Sequence, residues 1–389
     1  MSFNKNKIIL MIFILISAVT LLATVYIQKL NIQENAHHTE SVIVTIEHDV
    51  FHDIIYQINP KKLSQKKEIL KIEHLPNWSI NTNQHITDSL MFVTIPNDNR
   101  QIDNPRKNAE IAVIDLISNN KVTIGHDADL MIKPIFDKVN QNVIYRSTVN
   151  GKTRIISYNL KKSIKKIIYS VNESVPIIPL FVKNDNLFVV YQDHQGSNLM
   201  YVDQAKLKQF VKLSNNFTRN WSISPNKEKL LYLEQDITVN RSNNKIKLLD
   251  IDSKMHVQVN LNQTISNELL AIGAPSLNDA NSISFFSPIW SSKNSTISFG
   301  TATTKMDSLY PITKYELTSK KIAAVSNLEN GIEMPIAYND TNQYLLTKNF
   351  NVTLSPEEKI FILNIATQTR FGLDSEKYII YAGWWELNE

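Results

Sequence analysis

Cysteine is absent from this chain of 389 residues. Its absence excludes disulfides, thiolate metal sites, a cysteine nucleophile and a lipidated N-terminal cysteine. Glycine is scarce, with 8 residues, and no G-x-S-x-G, P-loop or G-x-G-x-x-G pattern occurs. The sequence marks of serine hydrolases, P-loop NTPases and dinucleotide enzymes are thus missing. Charge bias is small as well. With 41 Lys and Arg against 37 Asp and Glu, a net +4 is too little to imply nucleic acid as a partner. No catalytic residue set is expected.

Hydrophobicity is concentrated at one place. Ile8 to Ile27 carries no charge over twenty residues, about the span of a bilayer core at ~1.5 Å per residue. Lys5 and Lys7 precede it, and the positive-inside rule puts the N-terminus in the cytoplasm. Its exit, ATVYIQKL, has no A-x-A-like site, which favours an uncleaved signal anchor over a cleaved signal peptide. Either way the remaining chain faces outward. The expected organisation is a cytoplasmic stretch (1–7), a transmembrane anchor (8–27), a polar tether (28–41) and an outward-facing domain (42–389). That places the domain in the periplasm, held to a bacterial inner membrane.

Within 42–389 a unit of roughly forty residues recurs. Trp78, Trp221 and Trp290 each open an aromatic–Ser, polar turn, apolar run, and Trp384 sits in a copy at the C-terminus. Phe136, Phe181 and, degenerately, Ala337 fill the same slot between them. A second slot, a polar residue between apolar ones at a strand end, recurs at Gln57, Asp115, Asn159, Asp203, Asp250, Glu316 and Asn364. Each slot therefore has seven copies. The first polar slot has no aromatic strand before it, and the last aromatic slot has no strands after it. A ring resolves both, with the C-terminal strand completing the N-terminal blade and removing two free edges. The fold expected is all-β, a seven-bladed β-propeller closed by that strand. In the fifth blade the strands read Asn220–Ile223, Lys229–Glu234, Asn244–Ile251 and Met255–Asn260.

WSISPNKEKLLYL, from Trp221 to Leu233, resembles the W-S-P-D-G-K-x-[IL]-x-[FY] repeat of TolB-type, WD-like propellers. WSSKNSTISFG from Trp290 and WSINTN from Trp78 are weaker copies. The resemblance covers most of 42–389 as architecture, without the α/β domain that precedes the propeller in TolB itself. It implies a fold, and propellers host unrelated activities. Periodic aromatics of this kind are expected to fill the space between blades rather than hold a ligand.

Strands in a blade alternate in direction, so loops divide between two faces. The long irregular segments, at 95–110, 234–244, 261–282, 301–310 and 349–358, nearly all have one parity. That decorated face is the expected binding face, with Arg100, Arg106 and Lys107 on its longest intra-blade loop. His74, Lys133, Arg219 and Glu333 lie two to four positions before aromatic slots, so they are expected near the channel mouth, where mixed charge could recognise a peptide terminus or anionic group. Function is expected to be that of a non-enzymatic scaffold for an envelope protein or peptide, with no cofactor. The alternative is a periplasmic enzyme or sensor for a small anionic ligand such as a sugar acid, using a divalent metal on His74, His126 and His194. Some propeller lyases acting on oligogalacturonides are built in that way. The lysine run Lys161, Lys162, Lys165 and Lys166 falls on a turn between third and fourth strands and on an outer strand, where lysine blocks edge pairing.

Overall fold

In the computed structural model the described residues are 40–76, 78–82, 86–96, 109–235, 244–256, 283–303, 312–326, 332–350, 358–373, 375 and 377–387. The apolar segment 8–27, Arg100, Arg106 and Lys107, and most of the long loops lie outside them. Among the described residues every regular element is a β-strand, and no helix is long and apolar enough to cross a membrane.

The strands form seven antiparallel sheets. Six contain only strands consecutive in sequence, and their inner strands are Asn81–Thr82, Ile135–Asp137, Ile177–Lys183, Phe217–Ile223, Ile283–Trp290 and Ile332–Tyr338. Blade one is assembled from both ends of the domain. Its order is Tyr378–Leu387, Glu40–His48, His52–Ile58, Lys66–Glu73, so the C-terminal strand is innermost and closes the ring. Blade five shows three strands, ending with Asn244–Asp250. The fourth strand expected at Met255–Asn260 is described only as a bridge between Leu249 and His256, because 257–260 lie outside the described residues.

Both sequence slots have a physical explanation. The aromatic slot fills the space between neighbouring blades. Trp290 packs with Leu231 and Leu248 of blade five and with Phe299 and Tyr315 of its own blade. Trp384 packs with Ala337, Leu346 and Ile362 of blade seven. Phe136 stacks on Phe92 of blade two at 4.7 Å. Indole N–H groups then tie inner strand to inner strand: Trp290 Nε1 donates to Ser222 O at 2.9 Å and Trp384 Nε1 to Ala337 O at 3.0 Å. A large side chain that must be buried, with one polar atom that must be satisfied, explains why Trp recurs there.

The polar slot caps the turn between third and fourth strands. Asp115 Oδ1 accepts the N–H of Ile117 at 3.0 Å, Asn159 Oδ1 that of Lys162 at 2.9 Å, and Asp250 Oδ1 that of Ser253 at 2.9 Å. Asn364 Oδ1 repeats the arrangement with Ala366 at 3.0 Å. Short polar side chains closing their own turns leave the chain free to reverse without glycine. Asn119, Ser163, Lys254 and Gln368 take the left-handed backbone in these turns, with φ of 54–59° for three and 55° for Asn119.

Turns also bond across blades on the short-turn face. Lys138 pairs with Asp88 at 2.8 Å, Asn226 N–H donates to Asn294 Oδ1 at 2.9 Å, and Ser292 N–H donates to Asn342 Oδ1 at 3.0 Å. At the closure, Glu386 accepts the N–H of Asp340 at 3.1 Å and the hydroxyl of Ser41 at 2.5 Å. Burial there raises the Glu386 pKa despite those bonds. A raised carboxyl pKa gives stability that is present at low pH and is lost as pH rises through the folded-state value. Glu386→Gln is therefore expected to gain stability relative to the parent between pH 4 and pH 7, the gap widening upward. A gap constant over that range, in urea melts at several pH values, would refute this.

Candidate functional site

Inner strands of this ring are not regular. Register slips between Pro179 and Phe181, Arg219 and Ser222, Phe286 and Ile289, and Pro335 and Ala337. Each slip lies at or just before the aromatic slot. Proline stands two positions before the slot at Pro76, Pro134, Pro179, Pro288 and Pro335. Three of the four slips coincide with one, at Pro179, Pro288 and Pro335, while Arg219 holds that place in blade five. Proline cannot donate to a ladder, so it belongs at a sheet edge or bulge, and the inner strand is that edge. Asn220 and Ser287 are held at φ of 53° and 44°, an uncommon backbone for residues other than glycine.

These bulges aim side chains inward. A cavity of about 220 Å³ is lined by Asn220, Ser222, Ser287 and Pro288 of blades five and six, Pro335 of blade seven and Tyr381 of the closing strand. Lys133, from the approach to blade three, and Lys348, from the second strand of blade seven, also line it. Only the ring axis brings blade three together with blades five to seven and one. No described acidic residue is on the lining.

Lys133 is solvent-exposed and lines the cavity. Desolvation alone lowers its pKa, and no described acidic group offsets that cost. Lys348 Nζ lies 5.7 Å from the Tyr378 ring centroid. Tyr381 is a phenol whose pKa burial drives upward, so it stays neutral at any ordinary pH. Two ammonium groups, a phenol and serine hydroxyls line this cavity, and no acidic residue joins them among the described residues.

Of the residues expected at the channel mouth, Lys133 is there. Arg219 is half-buried beside cavity residue Asn220, with its Nε lacking a hydrogen-bond partner among the described residues. Glu333 is elsewhere: it is fully buried inside blade seven, against Thr347 and Arg370. His74 is buried at the junction of blades one and two. Lys348 and Tyr381 escaped the sequence reading. The recurrent proline could have located the bulge at Pro335, in the strand paired with that of Lys348, whereas the closing strand that carries Tyr381 has no proline to mark it.

The three histidines proposed as metal ligands do not converge. His126 is exposed within the outer strand Asn120–Ala128, not in an inter-blade connection, and His194 is exposed in a turn of blade four. His74 instead meets His48 and Asp53, the ligand atoms of all three lying within 4.8 Å of one another. Asp53 Oδ1 is 2.7 Å from His48 Nδ1 and 3.3 Å from His74 Nε2. Of the lysine run, Lys165 pairs with Asp127 at 2.8 Å on the outer rim.

No protein-family model matches the chain, and no curated protein matches it. Solved structures do. The β-propeller domain of the Trilobed protease from Pyrococcus furiosus, which has an open velcro topology, aligns with a TM-score of 0.56 at 12% identity, over 86% of this chain and 95% of that one. Oligogalacturonate lyase from Vibrio parahaemolyticus aligns with a TM-score of 0.53 at 11% identity, over 85% of each chain. TolB from Acinetobacter baumannii aligns at 0.48 and 10% identity, over 89% of this chain and 82% of that one. Identities this low speak to fold alone. The chain is a seven-bladed β-propeller, a fold it shares with the protease propeller domain and the lyase.

Proposed function

We propose that this chain is a membrane-anchored, extracytoplasmic propeller that binds, without catalysis, an anionic group of an envelope protein or peptide in its central cavity. The observation that carries the reading is the pair Lys133 and Lys348 on a cavity with no described acid. Size favours a macromolecular partner. About 220 Å³ is below the ~300–1,000 Å³ of sites that engulf a small molecule. It suits a chain terminus or one acidic side chain, the rest of the partner lying on the rim. The anchor rests on the uncharged segment Ile8–Ile27 behind Lys5 and Lys7, and with it the outward, periplasmic placement.

The test is proximity crosslinking of the full chain in its own membrane, with a photoreactive residue at Asn220 on the cavity wall. Lys133→Met and Lys348→Met are each expected to lower capture by about 10- to 100-fold, the worth of one charge-assisted hydrogen bond. Capture unchanged in both, with melting temperatures intact, would refute the cavity as the site. Capture lost instead in the Arg100, Arg106 and Lys107 alanine variant would move it to the 95–110 loop. Stabilisation by galacturonate with no captured protein would favour the small-ligand reading.

A further inference from the structure

The junction of blades one and two holds a second constellation, independent of the cavity. Asp53, fully buried, accepts the backbone N–H of Ile80 on Oδ2 at 2.6 Å, which ties blade one to the run entering blade two. Its Oδ1 faces two imidazoles, His48 Nδ1 at 2.7 Å and His74 Nε2 at 3.3 Å. The rings of those histidines stack at 5.5 Å and 12°.

His74 fixes the chemistry. Its side chain is fully buried, and its Nδ1 lies 2.8 Å from the carbonyl oxygen of Leu75. A carbonyl only accepts, so Nδ1 carries a proton and the ring, when neutral, has its lone pair at Nε2. That lone pair has no hydrogen-bond partner among the described residues, although a buried carboxylate oxygen is 3.3 Å away. A proton on Nε2 would not mend this, because the contact is out of line for a hydrogen bond. Nε2 and Oδ1 point past each other, as two ligands do when they converge on a third centre. Around an ion bound at ~2.0–2.2 Å in tetrahedral geometry, ligand atoms stand about 3.3–3.6 Å apart. The His74–Asp53 pair already has that spacing, and the 2.7 Å His48–Asp53 hydrogen bond opens by roughly 0.6 Å to reach it. A backbone carbonyl behind the distal ring nitrogen is also the usual support of a ligating histidine.

We propose that His48, Asp53 and His74 bind one divalent transition ion of the zinc class. Two imidazole nitrogens and one carboxylate oxygen suit zinc or its neighbours better than magnesium or calcium, which prefer all-oxygen shells. Three protein ligands leave a fourth position for water. His48 supplies the way in, since its side chain is 23% exposed while those of Asp53 and His74 are closed off. The bound ion clamps the hairpin of blade one to the connection that enters blade two.

The experiment uses the full chain in mild detergent, stripped with EDTA and titrated with Zn²⁺ and Co²⁺. One equivalent of Zn²⁺ is expected to raise the melting temperature, reversibly by EDTA. Co²⁺ is expected to develop the intense visible absorption of a tetrahedral N/O site. His48→Gln and Asp53→Asn should weaken binding by about 100-fold or more, since loss of a supporting partner alone costs 10- to 100-fold. His126→Gln and His194→Gln should leave it intact. His48→Gln sits on the partly exposed ligand, so it tests the site even if Asp53→Asn fails to fold. No Zn²⁺-dependent rise in the parent, or the same rise and the same Co²⁺ spectrum in His48→Gln, would overturn the site and leave a hydrogen-bonded junction.

Discussion

Removing residues 377–389 is expected to abolish cooperative unfolding of the domain. The deleted strand is the inner strand of blade one and buries Ile379, Ala382, Trp384 and Trp385. Truncating a buried isoleucine costs about 2–5 kcal/mol and each tryptophan about 3–5 kcal/mol. Three such losses reach the whole ~5–15 kcal/mol stability of a typical domain. Deletion also strips Glu386 from Ser41 and Asp340 and bares the edge of Glu40–His48. Urea melts followed by tryptophan fluorescence and by far-ultraviolet circular dichroism provide the check. Separate, gradual transitions fit the expectation, and one unchanged sigmoid refutes it. A peptide spanning 377–387, added in trans, should restore the sigmoid, because the missing element is one strand with an intact slot.

Arg370→Met is expected to cost about 3–5 kcal/mol. Glu333 is fully buried on the inner strand of blade seven. Its Oε1 accepts the Thr347 hydroxyl at 2.6 Å and lies 3.2 Å from Arg370 Nη2. Arg370 reaches it from the outermost strand of the same blade, its guanidinium 4.1 Å over the Phe361 ring. Methionine keeps the apolar stem over Phe361 but leaves Glu333 as a buried, uncompensated carboxylate. The double variant Glu333→Leu with Arg370→Met removes both charges and should recover most of the loss, since an apolar pair is often neutral or better. A double-mutant cycle in urea measures the coupling. A single-variant loss below about 1 kcal/mol would mean that water reaches Glu333 and screens it.

Much of this fold was legible in the sequence because each blade repeats the same physical demands. One large side chain must fill each gap between blades, and Trp221, Trp290 and Trp384 announce it. One turn per blade must be capped, and Asp115, Asn159, Asp250 and Asn364 do so within three residues of themselves. Closure was legible from the mismatch of slots at the two ends. Site residues were harder, because counting back from a slot assumes a regular strand. The slips at Pro179, Arg219, Phe286 and Pro335 break that assumption. Lys133 stayed in the cavity because it precedes its short strand, whereas Glu333 was turned into the sheet. His48 and Asp53 stand across a hairpin from each other, a pairing set by register rather than by sequence spacing.

Closure by a distant strand also sets a timetable for biosynthesis. Roughly 330 residues separate the end of Glu40–His48 from the start of its inner neighbour, Tyr378–Leu387. At ~5–20 residues per second, the first strand waits about 15 to 65 seconds for its partner to be made. Through that interval blades two to seven can stack in order, each on the one before, while blade one stays unfinished. Arrest or degradation before residue 378 yields an open arc with the edge of Glu40–His48 unpaired. Quality control therefore has one exposed strand by which to tell a finished ring from an interrupted one.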